Sequence, residues 1–357
     1  MKIGILTFHS AHNYGAVYQA LALKNFLIIK GYDVDIIGYR PHYIEDKYAL
    51  FPKKIGLKGF VKELVKLPSK IARRKKFEKF IEAFIAPNEN QDDWRNYDVY
   101  VVGSDQVWSP LITNYDPFYF GDFERKKASK LIGYAPSFEL SDLGKDDPLK
   151  MASFINRFDC VSVRELSAFS LLQPIVNRPI SLVIDPTLLI DSAFWNRFVS
   201  ATTESEEYVL VYQVRVSASI LNRAKSIAKM IGAKVKVVVT NRYNNPFADV
   251  QYIKPGPTEF LNLVYHAKLV ISSSFHGVAL SIAYKRPFFA FYMSDGRNDR
   301  IRTLLMKLGL EHRFLSVESE LTNILYVDYN VVDVKLNEFR KESEQYLLRS
   351  IELYEKN

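Results

Sequence analysis

The stretch Ala267-Lys268-Leu269-Val270-Ile271-Ser272-Ser273-Ser274-Phe275-His276-Gly277-Val278-Ala279-Leu280-Ser281-Ile282-Ala283 decides how this chain is read. Ala267 to Ile271 is a short apolar run of the kind buried in a parallel sheet. Three hydroxyls, a histidine and a glycine break it, and the apolar residues from Val278 to Ala283 have helical spacing. A strand that turns through Ser and Gly into a helix is half of a βαβ unit. It also gathers backbone N–H groups and the positive end of a helix dipole at one point, which suits an anion. His276 at that point brings a ring that gives or takes a proton near neutral pH. An anion site with an acid/base group points to chemistry on a phosphate or carboxylate ester. Taken in isolation, a helix cap beside a surface histidine explains the motif equally well.

Working outward, the alternation continues in both directions. Phe288–Phe291 reads as the next strand. Upstream lie a helix over Pro257–His266, a strand over Lys234–Val239, a helix over Ser217–Ile231 and a strand over Tyr208–Gln213. The polar run Ser200-Ala201-Thr202-Thr203-Glu204-Ser205-Glu206 before them reads as a linker. On its N-terminal side the pattern repeats, with strands at Lys2–Thr7, Val34–Gly38, Val99–Val102, Lys130–Tyr134, Cys160–Val163 and Leu182–Ile184, and a helix over Gly15–Lys30. The prediction is an α/β fold of two Rossmann-like, doubly wound domains, residues 1–199 and 207–332, joined by 200–206. A C-terminal helix follows over 333–357. Two such domains facing one another leave a cleft at the carboxyl ends of their strands.

Bulk properties exclude several classes. With 357 residues, 48% of them hydrophobic and 25% charged, the chain is a globular two-domain protein. It has no run of about 18 apolar residues to span a membrane. Met1-Lys2-Ile3-Gly4-Ile5-Leu6 enters a strand pattern directly, unlike a signal peptide. A single cysteine, Cys160, fits a reducing compartment, so a cytoplasmic location is expected. No G-x-G-x-x-G follows the first strand and no G-x-x-x-x-G-K-[ST] occurs, which argues against a dinucleotide cofactor and a P-loop. His and Cys are too scattered for a zinc site, and no metal is expected.

The net charge of +8 is concentrated. Residues 51–80 carry eleven Lys/Arg against Glu63 and Glu78, a local +9 that leaves the rest of the chain near −1. Apolar residues in the block recur every three or four positions, so it reads as a basic amphipathic helix interrupted by Pro68. Such a helix suits peripheral contact with the inner face of an anionic membrane or with a lipid-linked diphosphate. A packed helix with a solvated basic face is the simpler reading. Nucleic acid is not expected, for want of any helix-turn-helix, zinc or RNA-binding signature.

Polar clusters fall where strands should open into the cleft. After the first strand come His9, His12, Asn13, Tyr14 and Gly15, with Asn13 placed to cap the following helix. After the third come Gly103-Ser104-Asp105-Gln106-Val107-Trp108, a carboxylate, an amide and an indole able to grip a sugar, or in the indole's case an ordinary core aromatic. Arg164 in Val161-Ser162-Val163-Arg164-Glu165 can hold a carboxylate or phosphate as a bidentate fork, or pair structurally with Glu165 or Asp185. Arg215 and Arg300 supplement the motif around His276.

In order, NYGAVYQA from Asn13, VVGSDQVW from Val101, VSVRE from Val161, DPTLLI from Asp185, SSSFHG from Ser272 and DRIRTLLMKLGL from Asp299 make the chain resemble the polysaccharide pyruvyltransferase family. The motifs extend over nearly the whole chain. The resemblance implies a GT-B-like pair of Rossmann-like domains and transfer of a pyruvyl group from phosphoenolpyruvate to a sugar of a cell-surface polysaccharide precursor, often lipid-linked, as a cyclic ketal. It implies His276 as the catalytic acid/base. Donor binding falls to Arg164, Arg215, Ser272, Ser273, Ser274, Gly277 and Arg300, and acceptor binding to His12, Asn13, Tyr14, Gly15, Asp105, Gln106 and Trp108. No cofactor is required. Many members place arginine and leucine just before the histidine, where this chain has Ser274 and Phe275. A donor-binding arginine is thereby replaced, with Arg164, Arg215 or Arg300 available in its stead. A GT-B glycosyltransferase using a nucleotide sugar, and a non-catalytic glycan-binding relative, are the alternatives.

Overall fold

A computed structural model describes residues 1–50, 57–144, 147–201, 206–213, 217–239, 250–292 and 298–352. The chain divides into two compact units: Met1–Lys53, Lys79–Ile190 and Asn337–Asn357 form the first, and Lys54–Glu78 with Asp191–Leu336 the second.

The first unit is built on six parallel strands, β1 (Lys2–Leu6), β2 (Asp33–Ile36), β3 (Val99–Val102), β4 (Lys130–Gly133), β5 (Cys160–Val163) and β6 (Ile180–Leu182), in the order β2-β1-β3-β4-β5-β6. β3 is buried at every residue, as a central parallel strand covered on both faces must be. The Tyr14–Ile29 helix is buried from Tyr14 through Leu23. Its sequence is apolar all round rather than striped, which suits a helix covered on several sides. A cluster of Trp108, Phe120, Phe138, Phe158 and the inward residues of β3–β5 fills the core.

The second unit repeats the plan with β7 (Tyr208–Tyr212), β8 (Lys234–Val238), β9 (Gln251–Ile253), β10 (Leu269–Ser272), β11 (Phe288–Phe291) and β12 (Phe314–Leu315). All its pairings are parallel, in the order β12-β11-β10-β7-β8-β9. Val209, Val211, Val237, Leu269 and Ile271 pack with Leu221, Ala224 and Ile227 of the Ala218–Met230 helix. Each fully buried aliphatic side chain contributes about 1.5–3 kcal/mol.

The predicted strands and helices recur within a few residues. β9 and β12, of three and two residues, are too short to carry a periodicity in the sequence. The division of the chain differs in three places. The units part at Ile190/Asp191 rather than after Val199. The basic Leu57–Phe80 helix contributes its residues through Glu78 to the second unit. The last helix, Tyr329–Glu352, is no separate appendage, because from Asn337 onward it belongs to the first unit. There it buries Phe339, Leu347 and Ile351, and its Ser343 Oγ accepts the Ile184 N–H at 2.8 Å. No helix among the described residues is long and apolar enough to cross a membrane.

Candidate functional site

In a doubly wound sheet the ligand crevice opens at the carboxyl ends of the strands where the strand order reverses. Each sheet here has one such point, between β1 and β3 in the first unit and between β7 and β10 in the second.

At the second, β10 ends at Ser272 and the Phe275–Ala283 helix begins three residues later. Ser272 Oγ donates to the Tyr212 carbonyl at the end of β7 (2.8 Å) and accepts the Ser274 N–H (3.0 Å). Ser273 donates its own N–H to the same Tyr212 carbonyl (3.2 Å). These three bonds hold the turn between the strands that flank the switch point. Ser274 is the N-cap, but its side chain makes no capping hydrogen bond to the first turn. Phe275, His276 and Gly277 form that turn, with their backbone N–H groups at the positive helix end. The His276 ring is almost buried and stands edge-on to Phe275, with centroids 5.1 Å apart. A cradle of backbone donors, the Ser273 and Ser274 hydroxyls and an imidazole in the first helical turn is able to hold an oxyanion and move a proton beside it. The Ser272 hydroxyl, its proton given to the Tyr212 carbonyl, holds the turn instead of the donor as predicted.

Gln213 was missed as a site residue. It lies one residue beyond β7 and is buried, and its Oε1 accepts the Ser217 N–H (2.7 Å). Its Nε2 is buried with no hydrogen-bond partner among the described residues, a costly state that a ligand oxygen would relieve. The signal available in the sequence was its place at the end of a predicted strand. Arg300 sits in the first turn of the Asp299–Leu308 helix, partly buried. Arg215, also predicted to bind the donor, lies outside the described residues.

At the first unit's switch point, Asn13 caps the helix as predicted, its Oδ1 accepting the Gly15 N–H at 2.9 Å. Tyr14 and Gly15 are buried, with Tyr14 stacked on Tyr18, while Asn13 is exposed and His12 lies partly exposed near Tyr48. Gln19, also unforeseen, ties the two strand ends together. Its Nε2 donates to Thr7 Oγ1 (2.9 Å) and its Oε1 accepts the Ser104 N–H (3.2 Å). His9 is fully buried and held neutral, its pKa lowered to about 4 by burial and by the nearby Arg40, against a hydrogen bond to the Thr7 carbonyl.

Arg164 is buried among acids. It donates to Asp185 Oδ2, to Glu165 Oε1 (3.1 Å) and to Ser104 Oγ (3.2 Å), and Asp105 Oδ1 lies 3.7 Å away. Burial alone would disfavour its charge, but Asp185, Glu165 and Asp105 outweigh it and raise the pKa further. Asp185 also caps the Pro186–Leu189 helix through the Thr187 N–H (2.9 Å). The structural pairings of Arg164 are therefore present, and an anion reaching it must compete with three carboxylates. Asp105, at φ 65°, and Gln106 remain partly exposed. Trp108 does not: it is fully buried, flanked by Phe120 and Phe158, and gives its indole N–H to the Tyr119 carbonyl (3.2 Å). The sugar-stacking expectation for Trp108 thus gives way to a core aromatic with no open face.

A family model described as "Polysaccharide pyruvyl transferase" matches residues 13–295. No curated protein matches the chain. Among solved structures, a UDP-N-acetylglucosamine 2-epimerase from Rickettsia bellii superposes with a TM-score of 0.51 at 11% identity, over 99% of this chain and 96% of that one. An E. coli heptosyltransferase with ADP-2-deoxy-2-fluoro heptose gives 0.41 at 14% identity, over 95% and 99%. The spinosyn forosaminyltransferase gives 0.45 at 11% identity, over 99% of both chains. At these identities the likeness is one of fold, and the epimerase carries it: two Rossmann-like units, the GT-B-like class predicted.

Proposed function

The chain belongs to the polysaccharide pyruvyl transferase family, and on that premise we propose that it transfers a pyruvyl group from phosphoenolpyruvate to a sugar, forming a cyclic ketal. One observation carries the reading: His276 stands in the first turn of a helix whose entry is built from Ser272, Ser273 and Ser274 at the β7–β10 switch point.

Phosphoenolpyruvate presents a phosphate and a carboxylate on an enol carbon. His276, protonated, gives a proton to the methylene carbon, and the neighbouring carbon becomes electrophilic. One sugar hydroxyl adds there and releases its proton. The C–O bond to phosphate then breaks, inorganic phosphate leaves, and a second hydroxyl of the same sugar closes the ring as its proton departs. The Ser273 and Ser274 hydroxyls and the helix N-terminus hold the phosphate, where backbone N–H groups offset developing charge without reorganising. The Gln213 amide, at the end of the neighbouring strand β7, is the candidate further donor. Arg300 and Arg215 are the candidate counter-charges for the donor, since Arg164 is already matched by Asp185 and Glu165. The acceptor falls to His12, Asn13, Tyr14, Gly15, Asp105 and Gln106 of the first unit. No cofactor enters this scheme.

The acceptor on this reading is a sugar of a cell-surface polysaccharide precursor, lipid-linked and met at the inner face of the membrane from the cytoplasm. The basic helix supports that location, since Arg74, Lys75, Lys76 and Lys79 are all exposed. Thermal-shift measurement with phosphoenolpyruvate tests the donor, because a ligand at about 100 Kd stabilises by about 2.7 kcal/mol. Stabilisation by UDP- or GDP-sugars and none by phosphoenolpyruvate would instead indicate a nucleotide-sugar glycosyltransferase. Stabilisation by neither would favour a glycan-binding relative without catalysis.

A further inference from the structure

A cavity of about 570 Å³ lies within the second unit, apart from the switch point. Residues of β8 and β9, one side of the Pro257–His266 helix and Lys76 of the basic helix line it, and none of Ser272–Gly277 does. Tyr208, which lines it, begins β7, whereas Tyr212, which holds the Ser272 hydroxyl, ends that strand. Four residues of extended chain put these ends roughly 13 Å apart.

The lining is basic. Lys76, Lys236 and Lys254 stand against one carboxylate, Glu259. Glu259 is engaged already, accepting from Lys76 Nζ and from the Gly256 N–H, each at 2.7 Å. Lys236 is unusual for a lysine in being only 5% exposed. Its ammonium lies 4.3 Å from the centroid of the Tyr208 ring, and that ring is fixed by its hydroxyl donating to the Leu263 carbonyl (2.9 Å). Lysine is seldom buried so far, because desolvating an ammonium is costly. An anion brought into this low-dielectric wall would be attracted more strongly than one at an open surface. His266 adds a ring whose Nε2 donates to the Ser200 carbonyl (2.8 Å).

The cavity is far larger than a phosphate alone requires and falls in the size range of small-molecule sites. Its remaining wall includes hydroxyl- and amide-bearing side chains, Ser200, Gln251, Thr258 and Asn262. We propose that this cavity is a second binding site, distinct from the one around His276, for a small phosphorylated polyol of the sugar-phosphate class. Lys236 and Lys254 meet the phosphate, and the neutral polar wall meets the hydroxyls.

Titration calorimetry with glucose 6-phosphate, glucose and inorganic phosphate tests this on the full-length protein. Glucose 6-phosphate is expected to bind more tightly than either fragment, and more weakly as salt rises. Lys236→Met and Lys254→Ala should each weaken it at least tenfold, while His276→Ala leaves it unchanged. Lys254 is partly exposed, so Lys254→Ala carries the test if Lys236→Met does not fold. Equal binding by wild type and the folded lysine variants overturns the proposal, as does no binding of glucose 6-phosphate at millimolar concentration. Loss of binding in His276→Ala also overturns it, by locating the ligand at the switch point. Because His276→Ala separates the two sites, failure of the pyruvyl-transfer reading leaves this test intact.

Discussion

A Cβ added to Gly277 would lie 2.3 Å from Ser272 Oγ and 3.0 Å from Ser272 Cβ. The helix that carries His276 therefore meets the end of β10 at a distance only glycine permits. Ser272 has no room to retreat, since its hydroxyl is bonded to the Tyr212 carbonyl on the neighbouring strand. Gly277→Ala should destabilise the protein by about 1–3 kcal/mol through overpacking, read by urea denaturation, and should lower turnover by moving the His276 turn. Ser272→Gly in the Gly277→Ala background should recover part of the stability. An unchanged midpoint in Gly277→Ala would mean that the close contact is not structural.

His276→Ala should leave the fold intact and reduce phosphate release from phosphoenolpyruvate by roughly 10²–10⁴-fold, the usual worth of a general acid/base. His276→Gln, which keeps a hydrogen-bonding side chain but has no titrating ring, should be about as slow. Full turnover in either variant with a competent acceptor would remove His276 from the mechanism.

Arg164→Met strands Asp185 and Glu165, both buried, without their counter-ion. A loss of about 3–5 kcal/mol is expected, measured by chemical denaturation. Asp185→Asn added to Arg164→Met should restore part of it by removing one uncompensated charge. Were Arg164 held chiefly for the donor, Arg164→Met would instead raise the KM for phosphoenolpyruvate while leaving stability nearly unchanged.

His9 gives a pH signature. Its folded pKa of about 4 lies below the ordinary 6.5 because burial disfavours the charged ring. Between these values the unfolded chain takes up a proton that the folded protein refuses, so stability falls as pH drops from 6.5 to about 4 and levels off below. The separation corresponds to about 3 kcal/mol across that window. His9→Asn should flatten this part of the stability–pH curve. A curve of wild-type slope in the variant would assign the acid sensitivity to other groups.

The motif clusters were legible at the level of position. Asn13 as a cap and Ser272–Gly277 as a strand–helix turn follow from local chemistry, and the structure puts both at switch points. Partnerships were less legible. Arg164 had as many sequence arguments for a ligand as for Asp185, and only the approach of β5 to the Pro186–Leu189 helix brings the carboxylates around it. Gln213 gave no signal beyond following a strand, and Gln19, inside the Tyr14–Ile29 helix, gave none, because a buried amide is recognised by what it faces. Trp108 fitted a sugar platform or a core aromatic equally, and nothing in that run tells that Phe120 and Phe158 close over its ring.

By itself the sequence determined the βαβ alternation, the six ordered motifs and the place of His276 at a helix entry, because these depend on periodicity and on residues adjacent in the chain. Only the tertiary structure decided which strands stand side by side and which residues belong to each unit, down to the last helix joining the first. It alone also set the contact of Gly277 with Ser272, the carboxylates around Arg164 and the lysines gathered beside Tyr208. Those outcomes depend on packing between segments distant in sequence, where burial and steric fit, rather than local propensity, select the partner.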